Sequence, residues 1–152
     1  MIRCTIGVMA YNEAQNIQHA LNALLAQELC TVDIVEILVM ASGCTDRTVE
    51  IASVVARDFP VIPIEAEPER TGKAAAIKRL MSLAQCEVVV LVGADTLPEP
   101  GAIEQLVSPF ADATVGMTTM ASGPTSADSS TTNDGGGDTM LPVLFDTVPP
   151  EP

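Results

Sequence analysis

Two stretches of this 152-residue sequence combine side chains that could bind a charged ligand. In "LVGADTLPEP", residues 91–100, an apolar run ends on one carboxylate, Asp95, and two prolines follow. In "ERTGKAAAIKR", residues 69–79, Lys73 follows a glycine where a helix should begin. A cation at that position opposes the helix dipole unless an anion is bound, so Lys73 and the free amides of the first turn favour a diphosphate ligand.

The overall charge excludes one large class of partner. A formal net charge of −13 argues against binding along a nucleic-acid backbone, which requires a basic face. Four of the seven basic residues nevertheless fall within ten positions, at Arg70, Lys73, Lys78 and Arg79. We therefore expect no nucleic-acid partner, and we expect a phosphate site beside this basic cluster.

The cysteines and the apolar segments indicate a cytoplasmic domain. The four cysteines have no short paired spacing, which disfavours a zinc site and a thioredoxin-type motif and favours reduced thiols. The apolar run at the N-terminus is too short for a signal peptide. No segment approaches the roughly 18 apolar residues of a membrane helix, so we expect no membrane segment in this chain.

Segments typical of strands alternate with segments typical of helices. Apolar runs predict strands at residues 2–9, 34–41, 61–65 and 87–93, with a further candidate at residues 114–120. Helical spacing of apolar residues predicts helices that begin near Ile17, Asp46, Lys73 and Ile103. This order predicts an α/β fold of three layers, with an open, mostly parallel sheet and helices on both faces.

The composition changes after Met120. Residues 121–152 are rich in Gly, Pro, Ser and Thr, and they contain five acidic residues and no basic ones. Apart from "MLPVLF" they have little apolar surface to bury, as in disordered segments. We therefore expect one domain at residues 1–120 and a largely disordered acidic tail at residues 121–152.

Polar side chains follow three of the predicted strands, in "AYNE" (10–13), "SGCTD" (42–46) and "GADT" (93–96). Ligands of open α/β sheets bind at the carboxyl ends of the strands, so we expect these loops to form one site. Purely structural roles stay open for single residues. Glu13 could offset a helix dipole, Asp46 could cap a helix, and Asp95 could cap a turn.

Taken in order, these motifs resemble the family 2 glycosyltransferases. The resemblance covers about residues 3–120, through "IGVMAYNEAQNIQHALNALLAQ", "VEILVMASGCTDRTVEIA", "RTGKAAAIKRLM" and "VVVLVGADTLPEPGAIEQLVSPF". It implies the Rossmann-like GT-A fold and a nucleoside-diphosphate sugar bound with Mg²⁺ or Mn²⁺, for inverting transfer of the sugar to an acceptor hydroxyl. The donor-binding positions that it implies are Ala10, Tyr11, Glu13, Ser42, Lys73, Gly93, Ala94 and Asp95. Asp95 also matches a metal-binding aspartate of the family.

The sequence departs from the family pattern in three places. Ala41 or Ser42 stands where the family has an acid that reads the base, and Gly93-Ala94-Asp95 replaces Asp-x-Asp. The third departure is that the family's acceptor half and its general base have no visible counterpart, so no catalytic base is assigned.

Two alternatives stay open: a truncated, catalytically incompetent fragment that binds nucleotide sugar, and a nucleotidyltransferase of related architecture. The nucleotidyltransferase is disfavoured because such enzymes generally carry a glycine-rich, basic loop directly after the first strand. Here that loop, "AYNEAQN", has neither glycine nor a basic residue.

Overall fold

The computed structural model describes residues 1–120 and residues 141–145. Strands and helices alternate over most of this part of the chain. In chain order the elements are β1 (Ile2–Ala10), α1 (Ile17–Leu25), β2 (Val32–Ser42), α2 (Thr48–Asp58), β3 (Ile64–Glu67), α3 (Lys73–Leu83), β4 (Val88–Gly93), α4 (Ala102–Val107), β5 (Thr119–Met120) and β6 (Leu141–Phe145). A short 3₁₀ helix, Ser108–Ala111, directly follows α4.

The six strands of the described residues form one open sheet in the order β3-β2-β1-β4-β6-β5. The first four of these are parallel, since β1 pairs with both β2 and β4, and β2 pairs with β3. β6 is antiparallel to β4 and β5. The predicted α/β fold with a mostly parallel sheet is therefore confirmed. Because β1 lies between β2 and β4, the loops that follow these strands meet at one edge of the sheet.

One face of the sheet packs against the three helices α1, α2 and α4. Alternate residues of the central strands, such as Ile6 and Val90, point to this side and are fully buried. They meet fully or almost fully buried helix residues that include Leu21, Ala52 and Leu106. This surface, called the three-helix face below, holds the larger part of the hydrophobic core of the described residues.

Among the described helices, α3 alone covers the opposite face, called the single-helix face below. The buried residues of the strands on this side are Leu38, Met40, Val89 and Leu91, and they pack around Leu80 of α3. At Gly7 of β1, an added Cβ would lie 2.2 Å from Leu80 Cδ2. The absence of a side chain at Gly7 therefore lets α3 lie close against the sheet.

β3 begins later than the sequence predicts. The predicted strand at residues 61–65 is observed at Ile64–Glu67. The carbonyl of Pro63 accepts a hydrogen bond of 3.0 Å from the amide of Val39, but proline has no N–H with which to extend the ladder. Regular pairing therefore starts only after Pro63.

The predicted strand at residues 114–120 is observed only at Thr119–Met120. The chain turns before it, where Asp112 accepts hydrogen bonds from the amide and the hydroxyl of Thr114 at 2.9 and 2.7 Å. Within the predicted tail, residues 121–140 and 146–152 lie outside the described residues, whereas residues 141–145 form β6 beside β4. The division of the chain at residue 120 stays a prediction.

A buried carboxylate joins the two central strands to the segment after α3. Glu36 is 4% exposed and accepts hydrogen bonds from the Thr5 hydroxyl at 2.8 Å and from the amide and side chain of Gln85 at 2.8 and 2.9 Å. These three bonds offset the cost of burying the carboxylate. Because Gln85 precedes β4, the network lies at the edge of the sheet opposite the predicted site.

Candidate functional site

A cleft of about 260 Å³ opens at the carboxyl ends of β1 and β2, on the single-helix face. The start of α3 forms its other side. Met9, Met40 and Ala76 contribute apolar surface to it. The predicted donor-binding residues that line the cleft are Ala10, Tyr11, Glu13, Ser42 and Lys73. Segments far apart in the sequence therefore meet at the edge that the strand order predicts.

Hydrogen bonds between the loop after β1 and the loop after β2 fix the backbone at the mouth of the cleft. Asn12 has a φ of 50°, a left-handed conformation that asparagine tolerates, and its Oδ1 accepts a bond of 2.8 Å from the Thr45 amide. The amide of Glu13 donates to the Thr48 hydroxyl at 2.8 Å. The backbone that carries Tyr11 and Glu13 is therefore tied to the start of α2.

Asp46 supports this junction and does not line the cleft. Its carboxylate accepts hydrogen bonds from the amides of Thr48 and Ala14 at 3.0 and 3.2 Å. The Thr48 hydroxyl donates to it as well. These bonds, that of the Thr48 hydroxyl above all, lower the pKa of Asp46. The side chain thus binds the first amide of α2 and holds the loop after β1 in place.

Two cations lie at the cleft. The Arg70 guanidinium carbon lies 3.9 Å from the centroid of the Tyr11 ring, within the range of a cation–π contact. Lys73 is the first residue of α3. In the part of the chain that the structure describes, neither is in an ion pair, whereas Arg79 pairs with Glu65 at 2.9 Å. Arg70 and Lys73 therefore remain available to an anionic ligand.

Ser42 is the residue of the second loop that faces the cleft. Its neighbour Ala41 points to the other side of β2 and is 1% exposed. The Ser42 hydroxyl lies 3.2 Å from a carboxylate oxygen of Glu67, its partner in the β2–β3 register. An acid of β3, Glu67, therefore lies beside this part of the cleft.

Asp95 lies in the turn that follows β4 and is not among the residues that line the cleft. The Ala94 amide donates to the Met9 carbonyl at 3.0 Å, which holds this turn against β1. The Asp95 carboxylate lies over Gly93, where an added Cβ would be 2.7 Å from its Oδ1. Beside it, the Thr96 hydroxyl is buried and has no hydrogen-bond partner among the described residues. A carboxylate and an unpaired hydroxyl thus lie together at this turn.

The structure brings five of the predicted site residues into the cleft and places Gly93, Ala94 and Asp95 at the adjacent strand end. Sequence reasoning did not assign Arg70 or Glu67 to the site. The basic cluster already indicated Arg70, but Glu67 is brought near only by the pairing of β2 with β3. Within residues 1–120, no three or more His, Cys, Asp or Glu side chains are grouped to hold a metal ion.

Comparison with known proteins shows which family the chain matches and which solved structures share its fold. Residues 5–136 match the model of glycosyl transferase family 2. A curated relative, glycosyltransferase AglD of Haloferax volcanii, is 26% identical over 108 residues, which are 70% of this chain and 17% of AglD. Among solved structures, mannosyltransferase PcManGT from Pyrobaculum calidifontis, in complex with GDP-Man and Mn²⁺, has a TM-score of 0.67 and 31% identity.

The aligned region is a minor part of these relatives. It covers 75% of this chain but 34% of PcManGT. Glucosyl-3-phosphoglycerate synthase from Mycobacterium tuberculosis, at 22% identity, has a TM-score of 0.62 over 78% of this chain and 42% of its own, which supports the fold alone. No helix in the described residues is long and apolar enough to cross a membrane.

Proposed function

The chain belongs to glycosyl transferase family 2, and we propose that its cleft binds a nucleoside-diphosphate sugar together with Mg²⁺ or Mn²⁺. The observation that carries the proposal is the cleft itself, which five predicted donor-binding residues line at the carboxyl edge of the sheet. Open α/β sheets bind their ligands at this edge. PcManGT, which is 31% identical, is solved with GDP-Man and Mn²⁺, so GDP-mannose is the first donor to test.

We place the nucleoside at the end of the cleft formed by Tyr11 and Ser42. The Tyr11 side chain is 41% exposed, and the Arg70 guanidinium stacks on its ring. Nucleobases stack on aromatic rings and on guanidinium planes. This pair of side chains therefore supports a base at the mouth of the cleft.

We place the diphosphate between the start of α3 and the turn at Asp95. Gly72 precedes α3 with a φ of 90° and carries no side chain, so the first amides of the helix are open to an anion. Lys73 adds a positive charge at the same point. Together they offset the negative charge of a diphosphate.

The residues present fit a divalent cation only if the ligand supplies most of its coordination. The Asp95 carboxylate and the unpaired Thr96 hydroxyl offer oxygen ligands, which Mg²⁺ and Mn²⁺ prefer. Among the described residues, no group of three or more His, Cys, Asp or Glu side chains could hold a metal ion, so diphosphate and water must complete the shell. When bound, the cation would act as a Lewis acid that stabilises the leaving nucleoside diphosphate.

Transfer of the sugar is a separate proposal from binding of the donor. An inverting transfer needs an acceptor hydroxyl and a general base in line with the leaving group, and no residue of the chain is assigned as that base. The aligned region covers 34% of PcManGT and 17% of AglD. We therefore propose that donor binding is the activity to which this chain contributes directly.

Calorimetric titration with GDP-mannose, UDP-sugars and TDP-sugars in Mn²⁺ tests the proposal. At least one donor should bind, and Lys73→Ala should weaken it by about tenfold through the loss of a charge-assisted contact. Lys78→Ala is the matched control, because Lys78 is exposed on the same helix and does not line the cleft. Absence of binding to every donor would refute the proposed function.

A second pair of variants tests the cation. Asp95→Ala should remove the dependence of donor affinity on Mn²⁺, whereas Glu99→Ala, an exposed acid just beyond the turn, should preserve it. Metal-dependent binding that survives in Asp95→Ala would place the cation elsewhere. Release of free sugar from a bound donor, followed in the same samples, distinguishes an active domain from a fragment that only binds.

A further inference from the structure

The segment that carries Asp95 is held at both ends. This segment, residues 94–99 and called the Asp95 segment below, leaves β4 at the carboxyl edge of the sheet and leads to α4. At its start the Ala94 amide donates to the Met9 carbonyl at 3.0 Å. Near its end Pro98 is buried, whereas Asp95 itself is exposed. Because a segment fixed at two points has less conformational freedom than one fixed at a single point, both anchors restrict where the Asp95 carboxylate can lie.

The second anchor is the side-chain amide of Gln27, two residues after α1. Its Nε2 donates to the Glu99 carbonyl at 2.9 Å and lies 3.5 Å from the Pro98 carbonyl. The same nitrogen donates to the Ala23 carbonyl at 3.1 Å, and Oε1 accepts a bond of 3.0 Å from the Ile103 amide. Carbonyls only accept and backbone amides only donate, so these partners fix the orientation of the amide. Gln27 therefore joins the end of α1 to the Asp95 segment and to the first turn of α4.

We propose that Gln27 is a positioning residue for the cation site, which acts by holding the Asp95 segment in place. The inference rests on the proposed function, because a cation at Asp95 is part of it. Gln27 does not line the cleft, so its effect on a ligand passes through the segment. Mg²⁺ requires oxygen ligands at about 2.0–2.1 Å in a near-octahedral arrangement. A carboxylate that is free to move therefore binds the cation less well than one that is held.

Glu104 provides a matched comparison on the same helix. Its carboxylate accepts hydrogen bonds from the amides of Cys30, Thr31 and Val32, which join α4 to the start of β2. Gln27 and Glu104 thus both hold α4, but of the two, among the described residues, Gln27 is the one that also binds a carbonyl of the Asp95 segment. Loosening of α4 as a whole and release of the segment can therefore be distinguished by variants of these two residues.

Hydrogen exchange of the ligand-free protein, followed by NMR, tests the positioning. The Thr96 amide donates to the Gly93 carbonyl at 3.0 Å and reports on this turn. Gln27→Met, which replaces the amide by a thioether of similar length, should speed exchange of the Thr96 amide about tenfold relative to that of the buried Ile6 amide. Glu104→Gln should leave this ratio within about twofold of the wild type. Equal acceleration in both variants, or none in Gln27→Met, would overturn the inference.

Calorimetric titration with and without Mn²⁺ tests the consequence for the cation, with GDP, or with UDP or TDP if GDP does not bind. Gln27→Met should reduce the gain in affinity that Mn²⁺ provides about fivefold, as expected for a residue behind a metal ligand. It should leave the affinity without Mn²⁺ unchanged, because Gln27 does not line the cleft. Glu104→Gln should keep the full gain, and an equal reduction in Glu104→Gln would overturn the assignment.

Gln27→Glu separates the two sides of the amide. A carboxylate can still accept the Ile103 amide but cannot donate to the Glu99 carbonyl, so this variant should lose the Mn²⁺-dependent gain as Gln27→Met does. A full gain in Gln27→Glu would overturn the assignment. Failure of all three nucleotides to bind to the wild type would refute the proposed function. The exchange measurement needs no ligand, and it would still decide whether Gln27 holds the Asp95 segment.

Discussion

The two faces of the sheet differ in how they are covered. On the three-helix face, α1, α2 and α4 pack against the alternate residues of the central strands and leave them fully or almost fully buried. On the single-helix face, α3 meets the strands around Leu80, and its first turn forms one side of the cleft. The face with less cover is the one that carries the candidate site.

The helices of the three-helix face stabilise the fold without contributing lining residues to the cleft, whereas α3, on the single-helix face, does both. α3 both packs on the sheet through Leu80 and supplies Lys73 and Ala76 to the cleft. No lining residue of the cleft belongs to α1, α2 or α4. Packing changes on the single-helix face should therefore alter ligand affinity more than equal changes in the core of the three-helix face.

The largest expected effects come from one pair of leucines, both fully buried. Leu21→Ala and Leu80→Ala should each lower the free energy of unfolding by about 3 kcal/mol, through lost burial and the cavity left behind. Urea denaturation measures this loss. Leu80→Ala should also weaken nucleotide binding several-fold because α3 can shift, whereas Leu21→Ala should preserve the affinity of the folded protein. Equal losses of affinity in both variants would contradict the division between the faces.

A smaller effect is expected where α3 approaches β1. Gly7→Ala places a Cβ 2.2 Å from Leu80 Cδ2 and 3.1 Å from its Cγ, so it should lower the free energy of unfolding by about 2 kcal/mol through overpacking. In the Leu80→Ala background the same substitution should cost little, because the space is free. A double-mutant cycle measures this coupling, and additive effects would show that Gly7 does not determine the approach of α3.

A modest effect on binding is expected at the cleft mouth. Arg70→Ala should weaken nucleotide binding about threefold, as expected for the loss of an exposed cation–π contact. Arg57→Ala, which removes an exposed charge at the end of α2, is the matched control on the three-helix face. If both variants weaken binding equally in titration calorimetry, net charge would account for the effect rather than the contact with Tyr11.

The smallest effect concerns acid stability on the three-helix face. The Glu104 carboxylate accepts hydrogen bonds from the Thr31 hydroxyl and from the amides of Cys30, Thr31 and Val32, and these lower its pKa. A carboxyl group with a lowered pKa stabilises the fold above its ordinary pKa of about 4.3 and loses this effect as the pH falls below it.

Glu104→Gln should therefore reduce the difference in urea midpoint between neutral and acidic pH. Glu28→Gln, at an exposed acid, is the control and should leave that difference as in the wild type. An unchanged difference in Glu104→Gln would show that this carboxylate does not contribute to the acid dependence.

Most of the fold could be predicted from the sequence because local pattern and tertiary packing agree. The continuous run "VVVLV" became β4, buried on both faces, and the apolar spacing from Ile17 to Leu25 became α1. Prediction was poorer at Pro63, where the missing amide delays β3, and at Asp112, where a local turn shortens β5. In both places the observed strand is shorter or later than the apolar run predicts, because of the missing amide of Pro63 or the hydrogen-bonded turn at Asp112.

The site could be predicted in part. Its loops follow strands, and the strand order alone brings Tyr11, Ser42 and Lys73 near one edge. The position of Glu67 beside Ser42 could not be predicted, because it depends on the register between β2 and β3 rather than on any motif. The stack of Arg70 on Tyr11 likewise depends on the path of the loop before α3.

The proposed nucleotide and cation site is tested most directly by the paramagnetic broadening of backbone amide signals by Mn²⁺ in the presence of GDP. Amides of residues 10–13 and 93–96 should broaden together, only when the nucleotide is present, and more strongly than those at the far end of α2, Arg57 and Asp58. Broadening that is independent of GDP, or that is centred on the three-helix face, would contradict a nucleotide and cation site in this cleft.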